Sequence, residues 1–219
     1  MARTDITFNI ENKDITGFAS NVTGINWALS NNNVTSTYTS LGDTDIKLLS
    51  HKIIITNDSS TNHSAKTAIL IGIDQDGHQQ TETLNLPSGS ASVSSVKYFK
   101  TLSSITPSSS IGSDTMDIGW DNAICSSSIP CNYNDKFATN PTISVTKIGD
   151  VAINYTVQQT LSTIQIKDRS AIIYFNSEDN DVLNSTATAG STYLNPPTAI
   201  RVIVNSYTNG AGLGILVVN

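Results

Sequence analysis

Apolar residues recur at every second position in many short runs of this chain. In the first clear run the alternation puts Ile6, Phe8 and Ile10 on one face, and in the last it puts Leu213, Ile215 and Val217 on one face. A period of two is the pattern of a half-buried β-strand, because successive side chains point to opposite faces. Further strand-like runs cover 46–56, 67–73, 80–86, 95–106, 114–120, 142–147, 152–160, 171–175 and 199–205. Asp76 and Gly77 separate two of them and predict a hairpin over 67–86, since a tight hairpin turn needs positive φ and glycine supplies it cheaply. The best stretch for a short helix is 178–189, and no long amphipathic helix is predicted.

These runs predict an all-β protein of antiparallel β-sandwich modules with little or no helix. Residues 1–120 form a first sandwich module and 142–219 a second. The stretch between them, 121–141, holds Cys125, Cys131, Pro130 and Pro141, shows no period, and reads as a linker or excursion. The modules read as related. The spacings Leu102 to Ile105 to Ile118 recur as Ile200 to Ile203 to Leu216, each time across a strand, a polar turn and a strand.

Composition sharpens this picture. Charged residues are only 14% of the chain, and Ser, Thr and Asn carry its solubility. Those side chains compete for backbone hydrogen bonds inside helices and suit turns and the outer faces of strands. The net charge of −6 and scattered Lys and Arg oppose a nucleic-acid partner, which would need clustered cations. No apolar run approaches the ~20 residues that span a bilayer, and the start of the chain lacks a signal-peptide core, so assembly in a cytoplasm and reduced cysteines are expected.

Candidate chemistry is sparse. Asp74, Asp76, Gly77 and Glu82 superficially suggest a calcium loop, but the glycine falls at the wrong position and strands flank it, so a turn is the better reading. His51, His63 and His78 lack metal-ligand spacing, and neither a nucleophile elbow nor a phosphate loop is present. Carboxylate groups at Asp114/Asp117 and Glu178/Asp179/Asp181 lack the aromatic surroundings of a sugar-cleaving groove. No catalytic residue, metal or cofactor is expected.

Two sets of stretches resemble a family of tailed-bacteriophage virion structural proteins. The first is Ile71–Leu84, with Asp74, Asp76, Gly77, Thr81, Glu82 and Thr83 matching a D-x-D-G-x-x-x-T-E-T hairpin. It continues in Val96–Ile105, a K-x-F-K-x-L-x-S-I strand, and in Asp117–Trp120. The second is Tyr155–Thr160, reading Y-T-V-Q-x-T, with Tyr174–Asn176 and the P-T-A-I-R-V run from Pro197. Gln159 stands where His is common in that family and Tyr174 where Trp is common. The resemblance implies a non-enzymatic particle component located in the virion. Capsid decoration is the first reading, and a neck, tail or baseplate adaptor that attaches fibres is the alternative. It implies other virion proteins as partners and a homo-oligomer, with no nucleic acid and no membrane.

A third reading is a carbohydrate-binding host-recognition module, which would need an exposed aromatic platform drawn from Tyr38, Tyr133, Tyr193 or Tyr207. The subunit-contact candidates are Trp27, Tyr38, Tyr98, Phe99, Trp120, Tyr174 and Tyr207. In the adjacent pairs Tyr98/Phe99 and Tyr174/Phe175 one member is expected in the core.

Overall fold

The computed structural model describes residues 3–40, 47–131, 141–162, 172–193, 196–208 and 210–218. In chain order the strands are β1 (Arg3–Asn9), β2 (Asp14–Val22), β3 (Thr37–Ser40), β4 (Lys47–Leu48), β5 (Ser50–Asn57), β6 (Thr67–Ile73), β7 (Gln79–Asn85), β8 (Ser92–Phe99) and β9 (Thr101–Pro107). They continue with β10 (Met116–Cys125), β11 (Ile129–Pro130), β12 (Thr142–Ile148), β13 (Ile153–Thr160), β14 (Phe175–Asn176), β15 (Ala189–Thr192), β16 (Ala199–Tyr207) and β17 (Gly212–Val218). The protein is all-β and antiparallel. Within 178–189 the only helical element is a 3-10 turn at Asn180–Val182, whose N-cap Asp179 accepts the Asp181 amide.

The chain forms two compact units. They are not the consecutive stretches 1–120 and 142–219 expected from the sequence. A central unit comprises 12–35 and 48–124, and a terminal unit comprises 1–11, 36–47 and 125–219. The reason is strand pairing. β1 is hydrogen-bonded along its whole length to β17, with Ile6 opposite Ile215 and Phe8 opposite Leu213, which ties the N-terminus to the end of the chain. The expected linker also dissolves on its N-terminal side. Residues 121–125 complete β10, β11 pairs with β16, and Cys125, Ile129 and Cys131 are buried. The remainder of that stretch, 132–140, lies outside the described residues.

Each unit is a sandwich of two sheets, and the two share a core strand order to which the terminal unit adds further strands. In the central unit one sheet runs β8-β5-β10 with β2 on β10, and the other runs β7-β6-β9. In the terminal unit one runs β15-β12-β17-β1-β3, and the other runs β14-β13-β16 with β11 on β16. Taking β5 to β10 in order against β12 to β17, every pairing has its counterpart. β6 with β9 becomes β13 with β16, and β5 with β8 becomes β12 with β15. Even the added strand agrees, because β2 lies antiparallel on β10 as β1 lies on β17. The two modules are one strand plan used twice.

Alternation explains the cores. In the central unit Ile53 and Ile55 of one sheet face Leu70, Leu102 and Ile105 of the other, joined by Phe18, Phe99, Met116, Ile118 and Trp120. In the terminal unit Ile6, Phe8, Leu213, Ile215 and Val217 are buried, as are Tyr155 and Val157 of β13 and Ile200, Val202 and Val204 of β16. Burying such side chains contributes roughly 1.5–3 kcal/mol each before ordering costs are subtracted. The predicted hairpin is present, with Thr67 opposite Asn85 and Ile73 opposite Gln79. Its turn is closed by Asp74 Oδ1, which accepts the amides of Asp76 at 2.9 Å and His78 at 2.8 Å, and Gly77 supplies φ +91°.

Candidate functional site

Four of the seven aromatic contact candidates are core residues. Trp27 (8% exposed), Phe99 (0%), Trp120 (3%) and Tyr207 (6%) lie inside the protein. Trp120 packs edge-on to Phe18 at 5.3 Å, and its indole N–H donates to Asn12 O at 2.9 Å. Tyr207 donates its hydroxyl proton to Glu11 O. The Tyr98/Phe99 pair behaves as expected, with Phe99 inside and Tyr98 half-buried under the Lys52 ammonium. Neither Tyr174 nor Phe175 is fully buried.

The carboxylates are held by structural bonds. Asp117 accepts the Asn21 amide, where the chain takes positive φ. Asp114 is lowered below the ordinary carboxylate range, first by its hydrogen bond from Thr61 and then by His63 and Ser59. Half burial raises Asp121, but hydrogen bonds from Ser94 and the Asn122 amide and the Lys13 charge outweigh it, so the net shift is downward. His63 meets Asp114 at 2.9 Å, yet its Nδ1 is buried without a partner, so no hydroxyl is poised there as a nucleophile. His51 is buried, and burial lowers it to about 4, which leaves the ring neutral with Nδ1 bound to the Asp121 carbonyl. No group of three or more His, Cys, Asp or Glu among the described residues is placed to hold a metal ion.

Cys125 and Cys131 are both buried and neither is in a disulfide. The flanking Ser126 bonds to Val202, while Cys131 bonds to Thr198, so the two thiols lie about five residues apart along β16. At ~3.3 Å per residue that is roughly 16 Å, far beyond the ~4.4–6.8 Å a disulfide spans. Burial pushes the Cys131 thiol up to about 11.

The terminal unit carries a groove of about 130 Å³ lined by Ile6, Phe8, Tyr38 and the Ser126–Pro130 segment. That is below the ~300 Å³ where small-molecule clefts begin, and the Tyr38 hydroxyl already bonds to Ser127. Of the four platform tyrosines, Tyr193 and Tyr207 are each 6% exposed, Tyr38 is half-buried, and Tyr133 lies outside the described residues.

What the fold does bring together are polar side chains of the two sets of stretches named above. In the central unit Glu82, on β7, accepts the amides of Val96 at 2.7 Å and Lys97 at 2.9 Å on β8. Lys97 Nζ returns a bond to Thr81 O at 2.8 Å. In the terminal unit Arg201 donates from Nε (2.9 Å) and Nη2 (2.7 Å) to the same Gln158 oxygen, and its guanidinium lies 4.0 Å from the Tyr174 ring centroid. Gln158 donates onward to Asn176 at 3.1 Å, and Tyr174 shares a hydrogen bond with Ser128. Residues from three separate runs thus converge on one cluster because β13 lies between β14 and β16. Comparison with models of known protein families, with curated proteins and with solved structures found no match in any of the three.

Proposed function

We propose that this chain is a non-enzymatic structural component of a tailed-phage particle, seated on the capsid as a decoration protein. The observation that carries the reading is where the phage-like residues go. Asp74 closes its own hairpin turn, Glu82 accepts amides of β8, and Arg201 donates to Gln158 on the neighbouring strand, with all four in equivalent sheets of two repeated sandwiches. Side chains used this way supply cohesion rather than chemistry. The acidic, sparsely charged composition also suits packing against other protein subunits.

The experiment is stoichiometry. Quantitative mass spectrometry of purified particles should find the chain in copy numbers on the order of hundreds for a decoration protein. A count of roughly six to twelve would replace that assignment with a neck, tail or baseplate ring. Absence from particles would overturn the virion role altogether.

A further inference from the structure

Among the described residues Arg201 meets no carboxylate within ion-pair distance, although it is half-buried and held in place. Gln158 fixes two of its N–H donors through one oxygen, and Tyr174 supports the guanidinium plane from below. Tyr174 is itself pinned by Ser128, and Gln158 by Asn176. A guanidinium has five N–H donors. Gln158 takes the Nε proton and one on Nη2, which leaves the outer edge, one proton each on Nη1 and Nη2, for a two-oxygen acceptor.

We infer that Arg201 is an anchor for an aspartate or glutamate side chain of a neighbouring protein subunit. The inference rests on the particle reading only for the identity of that neighbour. Two arguments select a protein carboxylate. The free edge of the guanidinium matches the spacing of two carboxylate oxygens, and the rotamer is already fixed, so binding orders little more. The chain has a net charge of −6 and its Lys and Arg are scattered along the sequence, whereas a nucleic-acid backbone would need several cations in a row.

The test uses the full chain, labelled so that arginine side-chain N–H signals are followed by NMR. The titrants are a capped Leu-Glu-Leu peptide, its Leu-Gln-Leu counterpart and inorganic phosphate. The expected result is a saturable shift of the Arg201 signal with the glutamate peptide, at least roughly tenfold weaker with the other two, as expected for a charge-assisted bond. Folding of the R201Q and R201K variants is checked by their thermal melts. Glutamate-peptide binding monitored on the neighbouring Gln158 side chain should be lost in R201Q and weakened about tenfold in R201K, because an ammonium cannot offer paired, pre-oriented donors. Equal response to phosphate, undiminished binding by R201K, or no saturable shift with any titrant overturns the inference. Particles made with R201Q should also carry less of the chain than wild-type particles. Absence of the wild-type chain from particles would remove the virion reading while leaving the peptide result standing.

Discussion

Replacing Gly17 by alanine tests whether the central core is packed as tightly as the strand pairing implies. A Cβ built at Gly17 would lie 2.1, 2.4 and 2.6 Å from three ring carbons of Trp120. Ordinary contact begins near 3.4 Å, so the ring must retreat by more than an ångström. It has little room to do so. It is 3% exposed, packed edge-on against Phe18, and tethered through its indole N–H to Asn12 O. Overpacking a dense core costs about 1–3 kcal/mol, and losing the tether adds about 1 kcal/mol. Against this, alanine recovers about 0.5–1 kcal/mol relative to glycine within a strand. The net expectation is a loss of about 2 kcal/mol. For a unit of about 100 residues that lowers Tm by roughly 8–16 °C. Both tryptophans, Trp27 and Trp120, belong to the central unit, so urea unfolding followed by tryptophan fluorescence reads that unit directly. In the Gly17→Ala background Trp120→Leu should cost less than it does alone, because the smaller side chain relieves the clash, and unfolding of that pair is followed through Trp27. A Gly17→Ala change within about 0.5 kcal/mol of wild type, or additive costs in the double mutant, would refute the packing argument.

Three further outcomes are expected. His51 is buried neutral, with its pKa lowered to about 4 from 6.5. The unfolded state therefore takes up a proton between those values that the folded state refuses, and stability should fall as pH drops from 6.5 to 4, by about 3 kcal/mol. Urea midpoints at neutral pH and near the lower value check this, and His51→Gln should flatten that part of the slope. Cys125 and Cys131 should resist a thiol reagent until the protein unfolds and should not pair under mild oxidation, as read by mass spectrometry of the native protein. Glu82→Ala removes two charge-assisted bonds to the β8 amides and should cost about 1–3 kcal/mol. The next residue along β7, Thr83, faces solvent, so Thr83→Ala should stay within about 0.5 kcal/mol of wild type, and denaturant melts of the two variants separate the positions.

How far the sequence carries this fold depends on the kind of information asked of it. Alternation places Ile6, Phe8 and Ile10 inside, and equally Leu213, Ile215 and Val217, because burial of one face leaves a mark at every second residue. The hairpin at 67–86 is legible for the same local reason, with the turn residues beside the strands they join. Partnership is not legible in this way. Nothing local to Ile6 marks Ile215 as its neighbour, so the terminal unit's assembly from both ends of the chain is invisible to periodicity. The stretch 121–131 is misread for another reason. β10 runs on through Asp121, Asn122 and Ala123, β11 is only a Pro-containing pair, and both look like turn chemistry until β16 is laid beside Ile129 and Pro130. The aromatic residues expected at subunit contacts fail similarly, since alternation tells which residues share a face but not whether Trp27, Phe99, Trp120 and Tyr207 face a core or a neighbour. Gln158, Arg201 and Tyr174 are each conspicuous as letters of a resemblance, yet their convergence depends on two pairings that no single run contains.

The repeated strand plan shows the same limit from the other side. Leu102, Ile105 and Ile118 share their spacing with Ile200, Ile203 and Leu216, and the strands that carry them, β9 with β10 and β16 with β17, do hold equivalent places in the two units. The side chains do not all correspond. Ile118 is fully buried, but Leu216 is not, and Ile215 and Val217 occupy the core instead. The difference arises between the strands and not within them. Met116, Ile118 and Trp120 of β10 alternate strictly into the core, as do Leu213, Ile215 and Val217 of β17. The turns that lead into them differ, running from Pro107 to Met116 before β10 and from Tyr207 to Gly212 before β17, so two strands can keep one place in a fold while their hydrophobic phases, counted from the preceding strand, drift apart. Strand order is thus the more durable record of the repeat, because it is held by whole ladders of backbone hydrogen bonds. Phase counted along the chain changes with the length of the turn between strands, which is why matching apolar spacings locate the equivalent strands here but misassign the inward side chain of the last one.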